Sequence, residues 1–436
     1  MPKKNKSFQA PKGTFDILPD DQNVWETLRL TASRLADDFG YRRIDTPIIE
    51  ETQLFEAGVG SVTDIVQKQM YTFKTHGKDM LTLRPEGTAP IARAYIENGM
   101  CNQPSPQKFF YIGPMFRYEQ PQSGRFRQFH QFGFEIIGDE DPIYDAQLVQ
   151  MIFALFDDFK INNLAVKVNS IGCKKCRSAF RNALIKYYKP QAKHLCKDCK
   201  TRLKESPLRL LDCKDEKCIR VRAASPQILD FLCEGCRKHF TEFLEILDEL
   251  EIRYILDPYL VRGLDYYTKT VFEFFVSASA EESKDRAPRS TQGLAIGGGG
   301  RYDELYHLLG GRNTPAVGLA IGMERMISVM QKNDVRLIAK KSPPVFLAYL
   351  GASAKRKAIK LLSQLRHEGI VAGESFGKTN IGAQMKVADK VGSSYAVILG
   401  QKEILDNTAI IRDMHSGMQE TVPRAKLIEV LKKRLG

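Results

Sequence analysis

KFFYIGPMFRYEQPQSGRFRQFHQFGFEIIG, Lys108 to Gly138, is the stretch from which the rest of the chain is best read. Aromatic and branched residues dominate both arms, while Gln120, Pro121, Gln122, Ser123 and Gly124 break the middle, a pattern that predicts strand, loop and second strand. Side chains alternate across a strand. In the second arm Arg125, Arg127, Phe129, Gln131, Gly133 and Glu135 therefore share one face, and His130, Phe132, Phe134 and Ile136 the other. The second face is core material. Two guanidiniums, an amide and a carboxylate around a bare glycine are not, because burying such groups unpaired is costly; they make a floor for a polar ligand. In the first arm Arg117 and Glu119 end the strand just before the loop, where an arginine fork can grip a phosphate in bidentate fashion. Taken alone, the hairpin also fits a sheet with one solvated face.

At 436 residues the chain has room for two or three domains with real cores. Lys and Arg exceed Asp and Glu by 65 to 52, and the net charge of +13 favours a polyanionic partner without choosing between tRNA, other nucleic acid and an anionic membrane. No apolar run approaches the ~20 residues of a spanning helix, and Met1 to Ser7 is basic without the apolar core of a signal peptide. A cytoplasmic protein with no membrane partner is the expectation. There are no repeats or low-complexity tracts.

Asp20 to Gly40 has near-helical apolar spacing, and Tyr41 to Glu51 reads as a strand. Met80 to Ile96 reads as strand, turn and helix, with Thr88 as the N-cap and Glu86 in the turn, where a carboxylate complements the helix macrodipole. Asp141 to Phe159 follows as an amphipathic helix. Eight of the nine cysteines then fall between Cys173 and Cys236, paired as Cys173/Cys176, Cys196/Cys199, Cys213/Cys218 and Cys233/Cys236. Three pairs are CxxC and one is CxxxxC. Such spacings bring two thiolates onto one tetrahedral ion, so one or two structural zinc sites compete with a set of buried reduced thiols.

Leu260 to Phe275 places Arg262 in a turn ahead of a strand on which Tyr266 and Tyr267, if extended, point to opposite faces. Gly297 to Asp303, GGGGRYD, lacks P-loop spacing, and Tyr302 is a candidate pocket wall. Pro315 to Met330 reads as a buried strand running into a helix with Arg325 in its first turn, where a cation is disfavoured and an anion should compensate, Glu324 in part. After a linker, strand and helix alternate to the end of the chain, implying an α/β sandwich with a largely parallel sheet.

The hairpin resembles motif 2 of the class II aminoacyl-tRNA synthetases, and its Arg-x-Glu start and Gln-x-Gly-x-Glu finish look like the histidyl-tRNA synthetase family. Arg84 to Thr88, RPEGT, and Arg262 to Thr268, RGLDYYT, match strings of that family, the second being the most specific in the chain. The resemblance implies an α+β catalytic domain built on an antiparallel sheet (1–170 and 256–330). It also implies a mainly helical, cysteine-rich insertion (171–255), a linker (331–344) and a C-terminal α/β anticodon-binding domain (345–436). It implies ATP-dependent ligation of L-histidine to histidine tRNA through histidyl-adenylate, with Mg²⁺, in a homodimer. Arg117, Arg262 and Arg325 would then meet the ATP phosphates with Glu119 beside them, and Glu86, Thr88, Gln131, Glu135, Tyr266, Tyr267 and Tyr302 would bind histidine. Gln120 stands where the family often has a second arginine, which leaves Gln122 and Arg127 for the tRNA acceptor end. A catalytically inactive, histidine-sensing regulatory paralogue is the alternative, and an RNA-binding module that kept the fold without the chemistry is a third.

Overall fold

The computed structural model describes residues 8–120, 124–276, 294–338 and 342–436. It separates into two compact units, one ending at Ile338 and the other beginning at Ala339. The first is organised on an eight-stranded sheet made of β1 (Arg42–Arg43), β2 (Gln107–Phe116), β3 (Gln128–Ile137), β4 (Leu164–Ser170), β5 (Tyr254–Leu256), β6 (Thr268–Val276), β7 (Leu294–Arg301) and β8 (Ala316–Gly322). The order is β1-β2-β3-β8-β7-β6-β4-β5. Six central strands run antiparallel, and only the short edge strands β1 and β5 pair in parallel.

The expected faces of β3 are present. Phe132, Phe134 and Ile136 are fully buried against helices Gln22–Asp38 and Ile143–Asp158 in one core, each contributing ~1.5–3 kcal/mol of apolar burial. The opposite face carries a second core with Tyr111, Tyr266 and Tyr302, closed by helix Thr88–Glu97. Tyr41 to Glu51 does not form one strand. Arg42–Arg43 joins the large sheet and Ile49–Glu51 a separate three-stranded one, because Pro47 interposes a residue without an N–H and restricts the residue before it.

The glycines of β7 answer a steric demand. Ladder register shifts on both sides of Gly297 to Gly300, and a Cβ on Gly297 or Gly299 would run into the carbonyl of Ala320 or Gly318 on β8. Between β4 and β5 the chain leaves the sheet for helices Lys174–Tyr188, Lys197–Glu205, Glu216–Arg222 and Glu234–Glu249, the middle two short and mostly polar, the first and last buried along one side. No helix among the described residues is long and apolar enough to cross a membrane.

The second unit has its own core and a five-stranded sheet. Its first three strands pair in parallel, with helices Ala352–His367 and Ile381–Lys390 in the connections. The sheet is less parallel than expected: Thr408–Asp413 and Gln419–Pro423 form an antiparallel hairpin that continues it. Simple alternation of strand and helix to the end of the chain does not anticipate that hairpin.

Arg301, at the end of β7, is fully buried and ion-paired with the equally buried Asp145 at 2.7 Å, and its guanidinium also donates to the carbonyls of Asp139 and Asp141. The pair ties the glycine strand to the start of helix Ile143–Asp158. Removing one partner of a buried pair leaves the other charge uncompensated, so Asp145→Ala should cost ~3–5 kcal/mol. Urea unfolding followed by far-UV circular dichroism should show the loss as a lower midpoint; an unchanged midpoint would remove this pair from the supports of the sheet.

Candidate active site

Above the face of β3 opposite the Phe132 core lies a cavity of about 230 Å³. Its floor is Phe129 and Gln131 of β3, Leu319 and Ala320 of β8, and Gly297 and Gly298 of β7. Three arginines that are far apart in sequence line it together, Arg117 from the end of β2, Arg262 from the turn before β6 and Arg325 from helix Met323–Lys332. Each is held by an acceptor. Arg117 Nε donates to the Pro85 carbonyl at 2.9 Å, and Arg325 donates to the carbonyls of Gly124 at 3.0 Å and Ala295 at 2.7 Å. Arg262 Nη1 meets Glu273 at 3.3 Å, while its Nε is buried with no partner among the described residues.

The electrostatics favour an incoming anion. Burial lowers the pKa of Arg117, and burial followed by the neighbouring Arg125 lowers that of Arg325. For Arg262 burial also pulls down, but Tyr267 and Glu273 outweigh it and the net direction is up. Glu324 does not offset Arg325 as expected. Its carboxylate accepts from the backbone N–H of His130 at 2.8 Å and faces that ring at 3.0 Å.

The acidic side of the cavity is a hydrogen-bonded relay. Glu86 accepts from the backbone N–H of Thr88 at 2.7 Å and of Ala89 at 2.8 Å, so the carboxylate caps the helix, and Thr88, read from sequence as the cap, is its first residue. That frees the Thr88 hydroxyl to donate to Glu135 at 2.7 Å, and the Tyr302 hydroxyl donates to the other oxygen of Glu135. Tyr266 donates to Glu86 at 3.4 Å. Desolvation pushes Glu135 up to about 8 against the two hydroxyls, and raises Glu86 against its backbone donors. Glycine makes room for Glu135 and for a neighbouring ring: Gly318 pairs directly with Glu135 across the sheet, and the Tyr111 ring lies over Gly133.

A family model described as Histidyl-tRNA synthetase matches residues 13–326, and one described as Anticodon binding domain matches residues 344–434. The chain belongs to the histidyl-tRNA synthetase family. A histidine–tRNA ligase of Dehalococcoides mccartyi is 45% identical over 428 residues, covering 98% of this chain and 100% of the relative. One from Halothermothrix orenii is 44% identical over 426 residues, covering 98% and 99%. The crystal structure of apo S. aureus histidyl-tRNA synthetase superposes with a TM-score of 0.78 at 35% identity, covering 97% of this chain and 99% of that one. This is the class II synthetase fold, a catalytic domain on a mixed sheet with a C-terminal anticodon-binding domain.

Of the residues singled out from the family strings, Glu86, Thr88, Arg117, Glu119, Gln131, Arg262, Tyr266, Tyr267 and Arg325 line the cavity together. Tyr266 and Tyr267 both face it with ring centroids 4.7 Å apart, because β6 begins only at Thr268 and strand alternation does not apply to them. Glu135 and Tyr302 lie one layer beneath, so Tyr302 is a support for Glu135 rather than a wall. The space above Gly133 belongs to Tyr111 and is not open floor. Arg127 sits outside, its guanidinium 4.0 Å from the Tyr118 ring, and Gln122 lies outside the described residues. Glu119 pairs with Arg125 at 3.3 Å. Sequence reasoning missed Glu273, which lies on β6 five residues after Thr268 and carries no signal of its own. None of the eight cysteines lines this cavity; they gather into two groups of four.

The carboxyl of Glu135 gives a pH signature. Its usual value of 4.5 is raised to about 8 in the folded chain, so its protonated form adds stability that is complete below about 4.5 and is lost as pH rises through about 8. Melting temperatures between those limits should fall more steeply for the natural chain than for Glu135→Gln; parallel curves would mean that Glu135 does not titrate in this window.

Proposed function

We propose that this cavity activates L-histidine with ATP and that the chain passes the histidyl group to the terminal adenosine of histidine tRNA. The convergence of Arg117, Arg262 and Arg325 beside an acidic, tyrosine-lined pocket carries the reading, and the relatives named above support it. ATP enters as its Mg²⁺ complex. An oxygen of the histidine carboxylate, already ionised, attacks the α-phosphorus, the bond to the β-phosphate breaks, and pyrophosphate leaves. A ribose hydroxyl of the tRNA then attacks the acyl carbon and releases AMP. No protein nucleophile is needed, so catalysis rests on alignment and on neutralising phosphate charge. Arg117 and Arg262 are assigned to the α-phosphate and Arg325 to the γ-phosphate.

The ammonium of histidine is assigned to Glu86, Thr88 and Gln131, whose Oε1 is buried with no partner among the described residues. The imidazole is assigned to the deep end, between Tyr266 and Tyr267 and above Glu135. An amino acid lacking the ring nitrogens would leave these polar groups unpaired, which is a strong basis for rejection. Arg127 remains assigned to the tRNA acceptor end. The protein is proposed to act in the cytoplasm as a homodimer.

ATP–pyrophosphate exchange with each amino acid in turn should respond to histidine alone; exchange with none would sink the assignment. Arg262→His should lower that exchange by at least ~10² to 10³, the worth of a preorganised charge at developing negative charge, with an unaltered circular dichroism spectrum. Glu135→Ala should raise KM for histidine much more than KM for ATP. Equal rises would place Glu135 outside histidine recognition.

A further inference from the structure

The insertion has a core of its own, built on Phe180, Leu184, Tyr188, Leu210 and Ile228, but five of its thirteen buried residues are cysteines. Helix Lys197–Glu205 has 9 residues of which only Cys199 is buried, and helix Glu216–Arg222 has 7 of which only Cys218 is buried. Helices this short are marginal even in favourable sequences. One cysteine each anchors these two helices, so a staple through those cysteines is what would hold them most firmly to the core.

The cysteines meet in a way that spacing alone does not dictate. Cys173 and Cys176 gather with Cys233 and Cys236, and Cys196 and Cys199 with Cys213 and Cys218, the four sulfurs of each group lying within 4.8 Å of one another. The Sγ–Sγ separations include 3.6 Å for Cys173 and Cys176, 4.0 Å for Cys173 and Cys233, and 3.9 Å for Cys196 and Cys213. A tetrahedral zinc with Zn–S of ~2.3 Å sets its sulfurs about 3.8 Å apart. All nine cysteines are unbridged. Backbone N–H groups also point at the sulfurs, Cys233 N at Cys176 Sγ, 3.1 Å, and Cys196 N at Cys218 Sγ, 3.3 Å, as the outer partners of thiolate ligands do.

We infer that the insertion binds two structural zinc ions, one on Cys173, Cys176, Cys233 and Cys236, the other on Cys196, Cys199, Cys213 and Cys218. The first clamps the entrance and exit of the insertion, since Cys173 follows β4 by three residues and Cys233 opens the helix that returns to β5. The second fixes the segment that carries Arg202 and Arg209, which both pair with Asp64 of the catalytic domain, at 3.4 and 2.8 Å. Beside them a wider cavity of about 750 Å³ runs from this segment to Arg117, Arg125 and Arg325. The second ion therefore holds a basic wall against the mouth of the active site, where an RNA end would have to enter. This part rests on the synthetase reading; the metal sites do not.

The full-length chain, purified without chelators, should contain two zinc ions by mass spectrometry of the metal. Stripped, reduced protein should take up two equivalents of Co²⁺ with strong thiolate-to-cobalt absorption, and nine thiols should titrate after denaturation. None or one ion in both measurements, or fewer thiols through disulfides, overturns the two-site assignment. Cys213→Ser/Cys218→Ser should keep one zinc and full ATP–pyrophosphate exchange, but charge tRNA at least about tenfold more slowly, the scale of one lost charged contact. Two ions in that variant overturn the ligand set; undiminished charging overturns the positioning role. Absence of histidine-dependent exchange in the natural chain would defeat the synthetase reading and leave the metal count standing.

Discussion

Mutual repulsion among Arg117, Arg262 and Arg325 is the constraint around which the catalytic domain is arranged. Like charges crowded into a partly dry cavity raise one another's energy, and burial adds to the cost. The fold meets it with backbone carbonyls, those of Pro85, Gly124 and Ala295, with one directly bonded carboxylate, Glu273, and with Glu119 and Glu86 nearby. Carbonyls orient a guanidinium without cancelling its charge. The cavity thus stays attractive to a polyphosphate, and positions are set before it arrives, so little reorganisation is left for the reaction itself.

Supporting such a site takes unusual backbone. Glycines at β7 let three strands approach where any Cβ would collide, and Gly318 gives Glu135 a berth inside the sheet. The Arg301–Asp145 pair then locks the end of the glycine strand to a helix on the sheet's other side. A strand with so few side chains has little packing to hold its register; one buried, multiply bonded arginine supplies the anchor.

Much of this was legible in the sequence. The alternation in Lys108 to Gly138 separated the Phe132, Phe134, Ile136 core from the polar face, because this strand pairs on both sides without a register shift and keeps its two-residue period. RPEGT and RGLDYYT, through family likeness, pointed to Glu86, Thr88, Arg262, Tyr266 and Tyr267 of the cavity lining. What failed depended on geometry beyond the local pattern. Tyr266 and Tyr267 were read with strand alternation, although they precede the strand, and Thr88 was read as a cap because its type favours that role while Glu86 actually performs it. Cysteine spacing disclosed the four pairs but not how they combine, since partners such as Cys173 and Cys233 are 60 residues apart. The C-terminal hairpin went unread because its strands are half exposed and polar on one side.

The relay through Thr88, Glu135 and Tyr302 has a directional sense. When Glu135 is ionised, both hydroxyls point their hydrogens inward at it, and the lone pairs of Thr88 are turned toward the cavity, ready to accept from an ammonium. A proton on Glu135 makes the carboxyl a donor on one side and forces one of these hydroxyls to reverse. The buried acid thereby acts as a polarity selector, setting whether the chamber above it greets its guest as hydrogen-bond acceptor or donor.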